Sequence, residues 1–373
     1  MIYLDNSATT KPCPEAVAAV QDALTGCWAN PSALYRPGAE AKRRLEQARA
    51  AVAAALGADP KRVFFTSGGT EADNWAISAA VRRLGKRGRH IVSTAVEHHA
   101  VLNPLKRLEA DGFSVTYLQP GADGSVSVEG LREALRPDTI LVSVMLVNNE
   151  SGAVMPVERM AALTRRLCPN ALFHTDAVQG LFEVPFQARR LGADLISVSG
   201  HKVSGPKGAG ALYVRPGLPL PPLLLGGGQE HDLRSGTEAV PAVLGFGAAC
   251  RARLPRAKAD IAHMTRLRDI CRDALSQIPG VTLLSGGGAP HIVSFSLRGH
   301  RSQELINRLQ DREIYVSAGS ACAKGHRSHV FQAMGFPNEV IDGAVRVSFC
   351  PENTEEDVAA LAAALRADFA PAQ

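Results

Sequence analysis

The sequence predicts an α/β protein, with a mostly parallel central sheet covered by helices on both faces and a smaller α+β domain towards its C-terminal end. Three observations carry this. Over residues 14–214, short β-branched runs alternate with helical patterns, the rhythm of a parallel sheet whose crossovers are helices. After the proline-rich stretch ending at Pro222 and the Gly226-Gly227-Gly228 turn, a helical region holding residues 251–278 leads into a different pattern. The 373 residues are 46% hydrophobic and 21% charged, enough apolar surface for a large core and more than one domain.

Taken in order, helices are expected over 39–56 and 71–84. Strands are expected over 63–66, 90–93, 115–118, 140–147, 172–176, 195–199 and 209–214. In the second region, strand-like 291–297, helix-like 303–311 and strand-like 314–317 and 344–349 make up the smaller domain. The expected division is a large domain over 13–255 and a small one over 256–373, joined by an N-terminal segment, 1–12.

Composition excludes several function classes. A net charge of +5 is mild for this length, with no arginine block and no basic stripe interleaved with aromatics, so direct nucleic-acid binding is not expected. The N-terminus, Met1-Ile2-Tyr3-Leu4-Asp5-Asn6, has neither the basic nor the apolar part of an export signal. No stretch reaches a membrane-spanning length, and 218–225 is broken by Pro219, Pro221 and Pro222. The seven cysteines are an odd, scattered set without a CxxC pair, which reads as a reducing cytoplasm with mostly buried, inert thiols.

The residues that carry chemistry gather at strand ends. Ser199-Gly200-His201-Lys202 sets a lysine in a Gly-rich turn after the apolar run 195–198, and Asp176 ends another β-like run, 171–176. A carboxylate and an amine at the C-terminal ends of two parallel strands share one crevice. The pair suits pyridoxal phosphate, whose aldehyde condenses with a lysine and whose ring nitrogen needs a carboxylate to stay protonated. Singly, Lys202 reads equally as a solvated charge and Asp176 as a helix cap. A third feature is Phe64-Phe65-Thr66-Ser67-Gly68-Gly69-Thr70-Glu71, a strand stopping at small residues before a helix. Such a junction aims free N–H groups at one point and suits a phosphate, although an ordinary turn with Ser67 or Thr70 as N-cap fits too.

Cys322 lies in Gly319-Ser320-Ala321-Cys322-Ala323-Lys324-Gly325-His326, a polar, glycine-flanked stretch where nearby positive charge favours the thiolate. Cys322, His326 and His329 lack a fourth ligand nearby, so a structural zinc is not expected. His98 follows a strand and could stack on a cofactor ring or simply cap a helix. Arg346 is a cation in an apolar run and needs a carboxylate, either a substrate's or an internal partner's.

In their order along the chain, Tyr3-Leu4-Asp5-Asn6-Ser7-Ala8-Thr9-Thr10, Asn30-Pro31-Ser32, Thr66-Ser67-Gly68-Gly69-Thr70-Glu71, Glu97-His98, Val147-Asn148-Asn149-Glu150, Asp176-Ala177-Val178-Gln179, Ser199-Gly200-His201-Lys202, Gly205-Pro206-Lys207-Gly208, Arg234-Ser235-Gly236-Thr237 and Gly319-Ser320-Ala321-Cys322 resemble one family. It is that of the cysteine desulfurases (NifS/IscS-like), fold-type I pyridoxal phosphate enzymes of the class V aminotransferase superfamily. The stretch around Cys322 is similar to the branch whose cysteine sits on a long mobile loop and serves iron–sulfur assembly and tRNA thiolation.

The resemblance implies that Lys202 holds the cofactor, Asp176 pairs with its ring nitrogen and His98 stacks on the ring. Gln179 and Asn149 would lie near its phenolic oxygen and the substrate, and Gly69, Thr70, Ser199 and His201 would bind its phosphate. Thr237 would reach that phosphate from a neighbouring subunit, making a homodimer, and Arg346 would hold the carboxylate of L-cysteine. Lys202, with His98, would move the substrate's Cα proton. Cys322 would take the sulfur as a persulfide, leave alanine, and pass the sulfur to an iron–sulfur scaffold or a tRNA-thiolation enzyme. No resident metal is implied; Cys322 would ligate an iron–sulfur cluster only within a scaffold complex.

The sequence departs from that pattern at three places. Tyr35 stands where the family's Asn-Pro-Ser-x-x-His has histidine, the stretch from Cys322 to Val330 is a couple of residues short, and Phe349-Cys350-Pro351 replaces the usual Leu-Gly after Ser348. Two rival readings differ in outcome. Another lyase or aminotransferase of this fold, such as one acting on selenocysteine, would keep its turnover in Cys322→Ala, and a non-catalytic sulfur carrier would show no cofactor absorbance.

Overall fold

The computed structural model describes residues 1–318 and 327–369. After a two-residue strand, β1 (Ile2–Tyr3), seven strands build the main sheet: β2 (Val63–Thr66), β3 (His90–Thr94), β4 (Ser114–Leu118), β5 (Thr139–Ser143), β6 (Leu172–Asp176), β7 (Leu195–Ser199) and β8 (Gly210–Val214). Their spatial order is β2-β8-β7-β6-β5-β3-β4. The pairs β3–β4, β3–β5, β5–β6 and β6–β7 are parallel, while β8 runs antiparallel to both β2 and β7. The sheet is therefore mostly parallel, with one reversed strand that the alternating rhythm did not announce.

Neighbouring residues on these strands feed two different cores, as the period of two requires. Leu141 and Leu195 pack with Trp75, Ile77 and Val101 from the helices Gly69–Leu84 and His99–Ala110. Val142 and Ile196 pack on the opposite face with Val52, Met160 and Phe246 from the helices Arg36–Leu56, Val157–Leu167 and Val240–Arg253. Because both faces are covered, β3, β5, β6 and β7 are buried at every position.

The remaining strands are β9 (Val281–Leu283), β10 (Ile292–Leu297), β11 (Ile314–Tyr315), β12 (Ser317–Ala318) and β13 (Ala344–Ser348). An antiparallel sheet in the order β12-β13-β10-β9 packs with the helices Ala257–Ser276, Ser302–Asp311 and Glu355–Phe369 around Leu267, Phe295, Leu305, Val345 and Leu365. β1 joins β11 in parallel, and Leu4 is buried in this third core. Farther along, Ser7 N donates to Ser348 Oγ at 2.8 Å and Thr10 N to the His201 carbonyl at 2.9 Å. The N-terminal segment thus links the small sheet to the lysine turn.

Four local expectations are corrected. The run 140–147 stops being a strand at Ser143; Val144 and Leu146 still donate to the His174 and Asp176 carbonyls, but Val147 turns to bridge Val154. The run 314–317 splits at Val316 between two sheets. The helical region 251–278 is two helices, broken at Leu254–Arg256, where Pro255 has no N–H to give. The N-cap before the Gly69–Leu84 helix is Gly68 rather than Ser67 or Thr70, because the Ser67 hydroxyl donates to Glu71.

Candidate active site

β2, β3, β6 and β7 all end at one edge of the main sheet, and the chain segments that leave them enclose a cavity of about 280 Å³. It is lined by Gly69, Thr70, His98, Asn149, Asp176, Gln179, Ser199, His201, Lys202 and Arg346, the residues the sequence singled out. Ser7, Ala8, Asp73, His99, Met145, Glu150, Val178 and His329 complete the wall. Lys202 and Asp176 therefore share one crevice.

The lysine sits in a single turn of 3₁₀ helix, Gly200–Lys202, immediately after β7. Its Nζ donates to the Ser7 and Ala8 carbonyls, the latter at 3.0 Å. Asp176 closes β6, and its Oδ1 accepts from Val178 N at 2.8 Å. Burial first, and the charge of Asp73 second, push its carboxyl up to about 7, while Lys202 and His174 pull the other way.

Behind Asp176 lies a dry polar layer. His174 contacts Ser143 Oγ through Nδ1 at 2.8 Å, and through Nε2 contacts Ser197 Oγ at 3.0 Å and Asp73 Oδ1 at 3.4 Å. Burial holds His174 down at about 4 and lifts Asp73 to about 7. Glu97 takes hydrogen bonds from Thr94 and from Met145 N, and burial raises its carboxyl well above the usual range, Asp176 adding to the effect. Burial raises the proton affinity of all three acids, so a cation placed beside them would be stabilised at this end of the cavity.

The opposite end is built differently. Gly69, Thr70 and Glu71 open a helix, so their N–H groups have no intrahelical acceptor. A Cβ on Gly69 would lie 2.5 Å from Val178 Cγ2, so only glycine allows this close approach. Ser199 Oγ is buried without a hydrogen-bond partner beside it. Glu71 takes a bidentate pair from Arg234 at 2.8 and 3.1 Å and a hydrogen bond from Ser67 Oγ at 2.6 Å, which braces the loop. His201 is kept neutral, down to about 4, by burial and then by Lys202 and Lys207.

Between the two ends, His98 takes the capping role: its Nδ1 accepts from Ala100 N at 3.1 Å at the start of the next helix, and its ring lines the cavity. Burial, with Lys202 second, lowers it to about 4, which leaves a neutral ring. Arg346 on β13 donates to the Asn149 carbonyl at 2.7 Å and to Asp5 Oδ1 at 2.8 Å, so the internal partner is real; its Nε has no acceptor. Glu150, lifted to about 7 by burial, accepts from Ser328 Oγ at 2.5 Å. An amine, a buried carboxylate and a donor-rich cradle with an unpartnered hydroxyl fit pyridoxal phosphate in size and chemistry.

Not all the expected residues gather here. Thr237 is exposed and does not line this cavity. Tyr35 is exposed ahead of the Arg36–Leu56 helix and also contributes nothing to the wall. Cys322 lies outside the described residues. Among the described residues there is no cluster able to hold a metal ion. Sequence reasoning missed Asp73, Ser7 and His329 as wall residues. Asp73 was within reach, four positions after Gly69 on the same helix face; Ser7 and His329 carry no such local signal.

The family model described as aminotransferase class-V matches residues 2–361. The chain is similar to the cysteine desulfurase IscS of Methanosarcina thermophila, 41% identical over 96% of this chain and 89% of that one. A cysteine desulfurase of Trichormus azollae is 40% identical over 96% of this chain and 90% of the relative. Among solved structures, a NifS-like protein superposes with a TM-score of 0.92 at 36% identity, covering 97% of each chain. A structure titled SspA in complex with cysteine gives 0.82 at 32% identity, covering 95% of this chain and 100% of the other.

Proposed function

This chain belongs to the class V aminotransferase family and is a cysteine desulfurase dependent on pyridoxal phosphate, and from that premise we propose the residues that carry its reaction. The supporting observation is that Lys202 and Asp176 face one cavity from two strand ends, with a phosphate cradle at its far side.

Lys202 would anchor the cofactor, Asp176 would pair with its ring nitrogen, and Gly69, Thr70, Ser199 and His201 would hold its phosphate, all from the wall of one cavity. Pyridoxal phosphate, when bound, supplies the electron sink that makes the Cα–H of an amino acid acidic and its side chain labile. Arg346 would orient the carboxylate of L-cysteine through its unpartnered Nε, Asn149 shares that wall, and the neutral ring of His98 would pack against the cofactor. The Lys202 amine takes the Cα proton, assisted by His98. Cys322 Sγ, as thiolate, bonds to the substrate sulfur while the substrate's carbon–sulfur bond breaks. The electron pair of that bond stays with the three-carbon fragment, which is protonated at Cβ, regains the Cα proton and leaves as L-alanine, while the sulfur remains on Cys322 as a persulfide.

The active unit is a homodimer in the cytoplasm. Leu24, Trp28, Leu34 and Tyr35 leave large apolar surfaces exposed within residues 24–35, as a dimer interface would need. Thr237 follows three residues after Arg234, which grips the cradle through Glu71, and completes the phosphate site of the partner subunit. The persulfide passes to an iron–sulfur scaffold or a tRNA-thiolation enzyme. L-cysteine given to the purified protein with a reductant yields alanine and sulfide in equal amounts, and Cys322→Ser yields neither. Equal production by that variant overturns the thiol assignment.

A further inference from the structure

The side-chain amide of Gln179 is gripped on two sides. Its Nε2 donates to the Ser7 carbonyl at 2.9 Å, and its Oε1 lies 3.3 Å from Nε2 of His291. A backbone carbonyl only accepts, so the amide cannot be turned around, and Oε1 must face the imidazole. His291 therefore carries a proton on Nε2.

His291 immediately precedes β10 in the small sheet, is 3% exposed and does not line the cavity. Its Nδ1 has no hydrogen-bond partner and faces Glu183 Oε2 at 3.8 Å, itself without one. The other oxygen of Glu183 accepts from Arg253 at 3.0 Å. Burial first, then the charges of Arg253, Arg346 and Lys202, hold the imidazole down at about 3, so the ring is neutral and has one proton to place. The carbonyl of Ser7 also accepts from Lys202 Nζ. His291, Gln179, Ser7 and Lys202 thus form one continuous hydrogen-bonded line from the small sheet to the reactive amine.

We propose that His291 is a positioning residue for the reaction, fixing the amide of Gln179 so that its second N–H stays available to an acceptor in the cavity. The inference rests on the reading that this cavity holds pyridoxal phosphate. His291 acts only through Gln179, and the small domain thereby sets a donor in a site built mostly by the large one.

The test compares wild type, His291→Leu and His291→Gln, each reconstituted with pyridoxal phosphate. Glutamine keeps an N–H donor near the position of Nε2, and leucine keeps only bulk. His291→Leu is expected to move the pH midpoint of the visible cofactor absorbance by about half a unit or more, and to lower kcat roughly tenfold with KM within about twofold. His291→Gln keeps the wild-type midpoint. In the cofactor-free wild type, ¹⁵N resonances of His291 show the Nε2–H tautomer.

A wild-type midpoint in His291→Leu, a His291→Gln displaced as far as His291→Leu, or an Nδ1–H tautomer would each overturn the positioning role while leaving the desulfurase reading intact. A wild-type chain that takes up no cofactor overturns both.

Discussion

The two ends of the cavity are built on opposite principles. Around Asp176, the carboxyls of Asp73, Glu97 and Asp176 sit in nearly dry protein, each raised by burial, with a neutral His174 between strands as their neighbour. Around Gly69 the lining is helix-start N–H groups, the Ser199 hydroxyl and a loop braced by a partly buried Glu71–Arg234 pair. An end that must keep a proton on a ring nitrogen needs excess negative charge in a low dielectric. An end that must hold a dianion needs donors that cannot lose their protons, and the backbone supplies them.

The comparison predicts where a substitution costs chemistry and where it costs only affinity. The largest effect is expected at the ring end: Asp176→Ala leaves the cationic partner unpaired in buried surroundings, a loss of ~4 kcal/mol or roughly a thousandfold in alanine formation. A near-wild-type rate in this variant would break the contrast. Next is Gly69→Ala, whose Cβ would meet Val178 Cγ2 at 2.5 Å. Overpacking of ~1–3 kcal/mol predicts a cofactor affinity ten- to hundredfold weaker, read by absorbance titration.

Arg234→Ala removes a partly exposed pair worth ~1 kcal/mol, so cofactor affinity should drop about fivefold with kcat nearly unchanged. A large loss of kcat instead would show that the loop shapes the chemistry as well as the phosphate. The last prediction concerns stability, as a pH dependence in the cofactor-free chain. Asp73 is held up at about 7, against about 3.9 when unfolded, so it contributes stability at low pH that is lost as pH rises through 7.

His98, His174 and His201, held down at about 4, lose stability as pH falls below about 6.5 and so oppose this trend. The comparison with Asp73→Asn isolates the carboxyl: wild-type melting temperature minus that of the variant should fall between pH 5 and 7 and level off above. A flat difference would mean that Asp73 is ionised in the folded chain.

Much of this site was legible because the pieces are local. Ser199-Gly200-His201-Lys202 follows an apolar strand and Thr66-Ser67-Gly68-Gly69-Thr70 follows another, so strand ends could be found and the parallel order placed them together. Asp73 was missed because its sequence context, an acid in an early helical turn, reads equally as a surface residue; only its packing against His174 buries it. Arg346 showed the limit in another way. An arginine in a strand demands a partner, but Asp5, 341 residues earlier in the chain, could not be deduced without coordinates.

The sequence alone determined the period of the main-sheet strands and of the helices near 39–56, 71–84 and 303–311, the glycine at a position where no Cβ fits, and the lysine and carboxylate that end two strands, since these depend on local backbone geometry and side-chain chemistry. The tertiary structure decided which way β8 runs, that the N-terminal segment crosses from the small sheet to Lys202, and that His291 meets Gln179 across 112 residues of chain. Those contacts follow from how two cores pack against one another, and burial through that packing, which no local pattern encodes, is what moves the carboxyls and imidazoles from their ordinary protonation range.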